Sequence, residues 1–82
     1  MTAVTLYTRV GCHLCEAAEE VLRAERAATP FALDLVDVDR DDELVRRYGV
    51  RVPVVTIDGE EVFEYEVPVD LLRVRLHPRR AV

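Results

Sequence analysis

A pair of cysteines stands between a predicted strand and a predicted helix, and this junction constrains the fold more than any other feature of the sequence. Residues 4–8 are rich in β-branched and aromatic side chains, which favours a strand. Over residues 12–28, apolar side chains recur at helical spacing. These apolar residues are Leu14, Ala18, Val21 and Leu22. Cys12 and Cys15 therefore open a helix directly after a strand.

Of these two cysteines, Cys12 is expected to be the more reactive. At the start of a helix, unpaired backbone N–H groups and the helix dipole both stabilise a thiolate. Cys15 lies one helical turn further on, close enough to form a disulfide with Cys12. Cys12 would attack a substrate disulfide, and Cys15 would then resolve the mixed disulfide. The motif predicts a thiol–disulfide exchange site.

The rest of the chain predicts three further strands and two further helices. Residues 31–38 alternate like a strand, and a short helix that ends at Gly49 follows. Residues 52–58 and 60–65 form two strands joined at Asp58-Gly59, a pair suited to the positive φ angles of a two-residue hairpin turn. Pro68 suits the first position of a last helix.

The predicted order is βαβ-α-ββα. A right-handed crossover makes the first two strands parallel, and the hairpin makes the last two antiparallel. We therefore expect an α/β fold in which three helices flank a four-stranded mixed sheet. Residues 1–76 form one domain, because a chain of 82 residues is too short for a second core, and residues 77–82 form a short tail.

Composition and charge narrow the class of protein. The net charge is -5 and the arginines are interspersed with acids, so we expect no nucleic-acid partner. No apolar run approaches the roughly 18 residues of a membrane span, and the N-terminal residues run into the first strand without a basic leader. Two cysteines are too few for a disulfide-dense secreted scaffold. We expect a cytoplasmic monomer without a membrane partner.

A zinc site and a purely structural disulfide are the alternatives to exchange chemistry. A closed zinc site needs two further ligands, and beyond the cysteines only His13 and His77 remain. His13 lies inside the Cys12–Cys15 loop, where it would have to turn back on the site. A structural disulfide is disfavoured in a reducing compartment. We therefore predict no bound metal.

Three segments together resemble the glutaredoxin-like members of the thioredoxin superfamily, and the resemblance spans nearly the whole chain. They are residues 6–15, which contain the cysteine pair, the strand end Val36-Asp37-Val38-Asp39, and residues 48–59, which read Tyr-Gly-Val-Arg-Val-Pro-Val-Val-Thr-Ile-Asp-Gly. The resemblance implies a thioredoxin-like, glutaredoxin-type fold with strand order two-one-three-four. It places helices one and three on one face of the sheet and helix two on the other.

The resemblance also implies that Pro53 is a third active-site residue. The Val52–Pro53 peptide would be cis and would lie against the Cys12–Cys15 loop, because X–Pro bonds adopt the cis form at low cost. The backbone N–H and C=O of Val52 would then be free to pair with an extended substrate. The alternative is an ordinary trans proline that starts an edge strand.

Four further residues complete the predicted substrate-binding set. Arg9 stands where glutathione-using glutaredoxins place a lysine that meets a glutathione carboxylate, and Arg51 precedes Val52. Both arginines are expected to bind an anion or to steady the thiolate, with plain surface exposure as the alternative. His13 and Leu14 lie between the cysteines, where His13 either tunes the thiolate when protonated or is simply solvated.

One departure from the family bears on the electron donor. Phe63-Glu64 stands where a glutathione-using glutaredoxin has a Gly-Gly turn, and Glu66 adds a further acid. The bulky ring blocks backbone approach and the acids oppose an anionic tripeptide. We therefore expect glutathione to be the poorer partner.

The sequence thus predicts a thiol–disulfide oxidoreductase that reduces protein or small-molecule disulfides through a Cys12–Cys15 dithiol/disulfide cycle. The expected partner is a disulfide-containing protein. No cofactor is bound, and electrons come from glutathione or from a thioredoxin-reductase-like flavoenzyme. The alternatives are a redox-inert thioredoxin-fold binding module and a metal or iron–sulfur handling protein. The presence of both cysteines disfavours the redox-inert binding module and, in part, the metal or iron–sulfur handling protein.

Overall fold

The computed structural model describes residues 2–76, which build a four-stranded mixed sheet with helices on both faces. In chain order, the strands and helices are β1 (Ala3–Thr8), α1 (His13–Ala28), β2 (Ala32–Asp37), α2 (Asp42–Tyr48), β3 (Val54–Ile57), β4 (Glu60–Glu64) and α3 (Val69–Leu76). A short 3-10 helix, Val38–Arg40, precedes α2. The predicted α/β fold and element order are confirmed. The predicted tail, residues 77–82, lies outside the described residues.

The strand order in the sheet is β2-β1-β3-β4, as the family resemblance implied. β1 pairs with β2 in parallel and with β3 antiparallel, and β3 pairs antiparallel with β4. In the β1–β3 register, Tyr7 lies opposite Val54. The last residues of β1 and the first residues of β3 therefore meet at one end of the sheet. The loops that carry Cys12 and Pro53 leave the sheet at this end.

Two apolar clusters fix the helices to the sheet. Side chains of α1 and α3 pack on one face against β1 and β3, around the buried residues Val4, Leu6, Ala18, Leu22, Phe31, Val55, Ile57, Val67 and Leu72. On the opposite face, Tyr48 of α2 packs against Val38 and Val54 and stacks on Tyr7 with ring centroids 4.2 Å apart. α1 and α3 thus share one face, with α2 on the other.

The strand boundaries differ from the prediction by one or two residues. Val38, predicted as strand, starts the 3-10 helix, because the Asp37 side chain accepts a hydrogen bond from the Asp39 N–H at 2.9 Å and turns the chain there. β3 begins at Val54 and not at Val52. The hairpin turn is confirmed, with φ of 51° at Asp58 and 88° at Gly59.

Gly49 ends α2 as predicted, but without the left-handed conformation that is common at helix ends. Its φ and ψ angles are -51° and -39°, which any residue adopts. A Cβ at this position would lie 2.6 Å from the backbone oxygen of Val45. The glycine is needed for close approach to the preceding turn.

Candidate active site

The chain turns sharply from β1 into α1 just before the first cysteine. Gly11 has a φ of 79°, in the left-handed region that glycine adopts without steric cost. Cys12 follows as the N-cap of α1, and its side chain accepts a hydrogen bond from the backbone N–H of Cys15 at 3.1 Å. The Cys12 sulfur thus satisfies one of the unpaired N–H groups at the helix start.

Cys12 and Cys15 are joined by a disulfide in this structure. Their Cα atoms lie 5.2 Å apart, within the usual range for a disulfide. Cys15 is only 1% exposed, whereas Cys12 is partly exposed. Of the two cysteines, only Cys12 therefore presents surface to solvent.

The Val52–Pro53 peptide bond is cis, and Pro53 is buried. The C=O of Pro53 accepts a hydrogen bond from the Tyr65 N–H at 2.9 Å. Among residues 2–76, no partner is found for the backbone N–H or C=O of Val52. These two groups have the chemistry to pair with an extended peptide, as expected from the family resemblance.

Arg9 joins the loop before Cys12 to the segment around α2. Its guanidinium donates two hydrogen bonds to the Asp39 carboxylate, at 2.7 and 3.1 Å, and one to the Gly49 C=O at 3.1 Å. The hydrogen bond between the two side chains raises the pKa of Arg9 and lowers the pKa of Asp39. The Arg9 charge is therefore already compensated.

Arg51 is paired with acids of β4. Its Nη1 donates to the carboxylates of Glu61 and Glu64, each at 3.0 Å, and hydrogen bonds with Glu61 and then Glu64 raise the pKa of Arg51. The same guanidinium donates to the Arg47 C=O and lies over the Tyr48 ring. The anion-binding roles of Arg9 and Arg51 stay predictions. An anion bound by either arginine would compete with the carboxylates that already accept its hydrogen bonds.

His13 and Leu14 form the outer surface of the cysteine loop. The His13 side chain is 99% exposed, with Nδ1 3.9 Å from a carboxylate oxygen of Glu16. Leu14 is 48% exposed. The substrate-binding role of both residues stays a prediction.

Sequence reasoning missed Tyr65 and Asp39 as residues of this region. Tyr65 has a φ of 69°, which is rare for a bulky residue, and nothing in its local sequence indicates that conformation. Asp39 belongs to the segment Val36-Asp37-Val38-Asp39, which carried the family resemblance. Its charge opposite to that of Arg9 was the one available signal.

Two features are absent from the described part of the chain, a metal-ligand cluster and a membrane-spanning helix. Within residues 2–76, no group of three or more His, Cys, Asp or Glu side chains is arranged to hold a metal ion. In the same residues, no helix has the length and apolar character needed to cross a membrane.

The fold and the cysteine pair define a thioredoxin-like protein, and comparison with solved structures agrees. A structural-genomics crystal structure of an X. campestris protein superimposes with a TM-score of 0.77 at 36% identity, over 94% of this chain and 99% of that chain. A mutant thioredoxin from Halobacterium salinarum gives a TM-score of 0.69 at 28% identity, over 93% of this chain and 72% of that chain.

The family model of the glutaredoxin-like domain (DUF836) matches residues 3–77, and the chain belongs to this family. A Dictyostelium discoideum protein described as glutaredoxin-like is 25% identical over 75 residues, which cover 84% of this chain and 69% of that protein. The predicted membership of the glutaredoxin-like branch of the thioredoxin superfamily is confirmed.

The hydrogen bond to Cys12 leads to a prediction for its thiol. In the Cys15→Ser variant, the backbone N–H at position 15 is retained, so it stabilises the Cys12 thiolate together with the helix dipole. We expect the pKa of Cys12 to lie below the value of about 8.5 for a free cysteine. The pH dependence of Cys12 alkylation measures it.

Arg9→Ala in the same background is the matched control. Asp39 already compensates the Arg9 charge. We therefore expect the loss of Arg9 to change the Cys12 alkylation midpoint less than the helix start lowers it below the value of a free cysteine. A midpoint at or above about 8.5 in the Cys15→Ser variant would mean that the helix start does not activate Cys12.

Proposed function

We propose that this protein is a thiol–disulfide oxidoreductase that reduces disulfides through Cys12 and Cys15. The observation that carries the proposal is the asymmetry of the pair. Cys12 caps α1, accepts a backbone hydrogen bond and is partly exposed, whereas Cys15 is buried behind it. This is the arrangement that an attacking thiolate and a resolving thiol require.

The proposed cycle begins when the Cys12 thiolate attacks one sulfur of a substrate disulfide. A bond forms between Cys12 Sγ and that sulfur, the substrate S–S bond breaks, and the departing thiolate takes a proton from solvent. Cys15 then loses its proton to solvent and attacks Cys12 Sγ, which releases the second substrate thiolate to be protonated in turn. The substrate gains two electrons and two protons, which the cysteines lose as their disulfide forms.

The backbone of Val52 supports a role in orienting the substrate. Its N–H and C=O have no partner among residues 2–76, so pairing with an extended peptide would cost no internal hydrogen bond. Pairing of this kind holds a peptide backbone without regard to its side chains. We propose that it aligns the substrate disulfide with the Cys12 sulfur.

The proposal includes no bound cofactor and places the cycle in the cytoplasm, in a monomer. Electrons then come from a separate donor, which is a thioredoxin-reductase-like flavoenzyme or glutathione. Two features favour the flavoenzyme. Phe63 and Glu64 lie within β4, so no flexible glycine turn is available for glutathione. Arg9, which matches the position that meets a glutathione carboxylate in the family, is paired with Asp39, and Arg51 is paired with Glu61 and Glu64.

Glutathione is therefore expected to be the poorer donor, with kcat/KM lower by about tenfold or more, equivalent to about 1.4 kcal/mol of transition-state binding. NADPH consumption is measured with a thioredoxin-reductase-type flavoenzyme, and separately with glutathione and its reductase, using insulin as the disulfide substrate. The matched variant Glu66→Gln removes one acid and should narrow the difference in kcat/KM between the two donors.

Equal kcat/KM with both donors would show that the acids and the missing turn do not select against glutathione. Turnover with neither donor, in protein whose cysteines are first shown to be reduced, would contradict the proposed oxidoreductase activity itself.

A further inference from the structure

An apolar groove begins at the cysteine loop and runs along α1. Its walls are Leu14 and Val21 of α1 on one side, and Tyr65, Val67 and Pro68 of the β4–α3 connection on the other. The groove has a volume of about 300 Å³, enough for a large side chain. Leu14 lies between the two cysteines in sequence, so this end of the groove adjoins the cysteine loop.

Tyr65 forms its wall of the groove from a strained backbone conformation. The Glu66 N–H donates to the Glu64 C=O at 2.8 Å, and Tyr65 lies between them with a φ of 69°. This is a γ-turn of the rare form that has a positive φ at its centre. The Tyr65 N–H is held by the Pro53 C=O, which ties the turn to the active-site proline.

A tyrosine in this conformation is unexpected on steric grounds, since glycine would adopt it without cost. Tyr65 is 46% exposed, so it does not serve mainly to fill the core. Strained residues of this kind cluster at functional sites, where the surrounding structure holds them in place. The strained turn places Tyr65 in the lining of the groove, where Leu14 also lies.

Charge at the groove selects among occupants. Glu66 lines the groove and is exposed, and no ion-pair or hydrogen-bond partner is found for its carboxylate among residues 2–76. An acidic ligand such as glutathione is repelled there, whereas a basic group is attracted. An apolar wall with one uncompensated acid complements a peptide that carries a large apolar residue and a neighbouring basic residue.

We propose that this groove binds the residue next to the disulfide cysteine of a protein substrate, and that Tyr65 is its specificity-determining residue. The preferred substrate is an extended segment with a leucine-sized or aromatic residue beside the cysteine and a basic residue nearby. This inference rests on the proposed reductase function and names the substrate class of the same site.

The test compares model peptides that each contain one cysteine in disulfide linkage to 2-mercaptoethanol. The residue before the cysteine is leucine or serine, and the residue after it is arginine or glutamate. Release of peptide thiol by the reduced protein, followed by chromatography, gives kcat/KM for each. We expect the leucine peptides to react about tenfold better than the serine peptides, and the arginine peptides to exceed the glutamate peptides at low salt.

Tyr65→Gly removes the ring but keeps the backbone conformation, and thermal unfolding verifies that the variant is folded. We expect the leucine-to-serine ratio to fall toward unity in Tyr65→Gly and to persist in Tyr65→Phe. Tyr65→Asn also lacks the ring, and asparagine tolerates positive φ, so this variant should lower the leucine-to-serine ratio in the same way. Leu71→Ala, which removes an exposed apolar side chain on α3 away from the groove, should leave the ratio unchanged.

Reduction of all peptides with equal kcat/KM would overturn this inference and leave the reductase function standing. If the protein reduces none of the peptides and also fails to reduce bis(2-hydroxyethyl) disulfide, both the proposed function and this inference are overturned. A dimer that forms in solution and is lost in Tyr65→Gly would assign the groove to a second copy of the chain, which also contradicts the proposal.

Discussion

Cys12→Ser is expected to lower disulfide reduction by roughly 10³-fold or more, because serine provides no thiolate to attack the substrate sulfur. Cys15→Ser should instead stop the reaction at the mixed disulfide, since no second thiol is available to release the substrate. Turnover with insulin measures the first effect. For the second effect, the Cys15→Ser protein is reacted with a peptide disulfide. Mass spectrometry then detects the mixed disulfide between the peptide and Cys12.

The two variants are controls for each other, because each changes a single sulfur atom to oxygen at neighbouring positions of one helix. The burial of Cys15 and the exposure of Cys12 predict that only Cys15→Ser accumulates the adduct. Equal trapping by both variants would contradict the assignment of attacking and resolving roles.

Phe31→Ala is expected to destabilise the domain by about 3 to 5 kcal/mol, the cost of removing a fully buried aromatic side chain. Phe31 precedes β2 and packs in the cluster that holds α1 and α3 to the sheet. For a domain of this size, the loss lowers the unfolding midpoint temperature by roughly 12 °C or more. Calorimetry or circular dichroism measures the midpoint.

Phe31→Leu is the graded control, because it keeps most of the buried volume and should cost less than about 1.5 kcal/mol. Leu71→Ala, at a position more than half exposed, should have little effect. A Phe31→Ala midpoint within a few degrees of the unaltered protein would mean that this cluster does not determine the stability of the fold.

The fold was largely predictable because its signals are local. The helical spacing of Leu14, Ala18 and Leu22 reports a stripe that the structure buries against the sheet, apart from Leu14 at the active site. The Asp58-Gly59 pair has the residue types that two positive φ angles require. The strand order was not accessible to periodicity, which does not report how the two halves of the chain meet, and it came from the family resemblance.

The site was predictable only in part, because several of its features depend on contacts between distant parts of the chain. Arg9 was expected to face an anionic ligand or the thiolate, and its guanidinium binds Asp39. The γ-turn at Tyr65 depends on a hydrogen bond to Pro53 across the site. Neither contact has a signature in the local sequence, since residue types show which groups are present and not which partners the fold gives them.

The central claim is that one substrate disulfide is reduced at the expense of the Cys12–Cys15 pair. The most direct measurement is a single turnover, in which reduced protein and insulin are mixed without any donor, quenched with an alkylating reagent and analysed by mass spectrometry. The account predicts that two new substrate thiols appear for each protein molecule that acquires a Cys12–Cys15 disulfide. A protein that still carries two alkylated cysteines, beside insulin whose disulfides are intact, would contradict it.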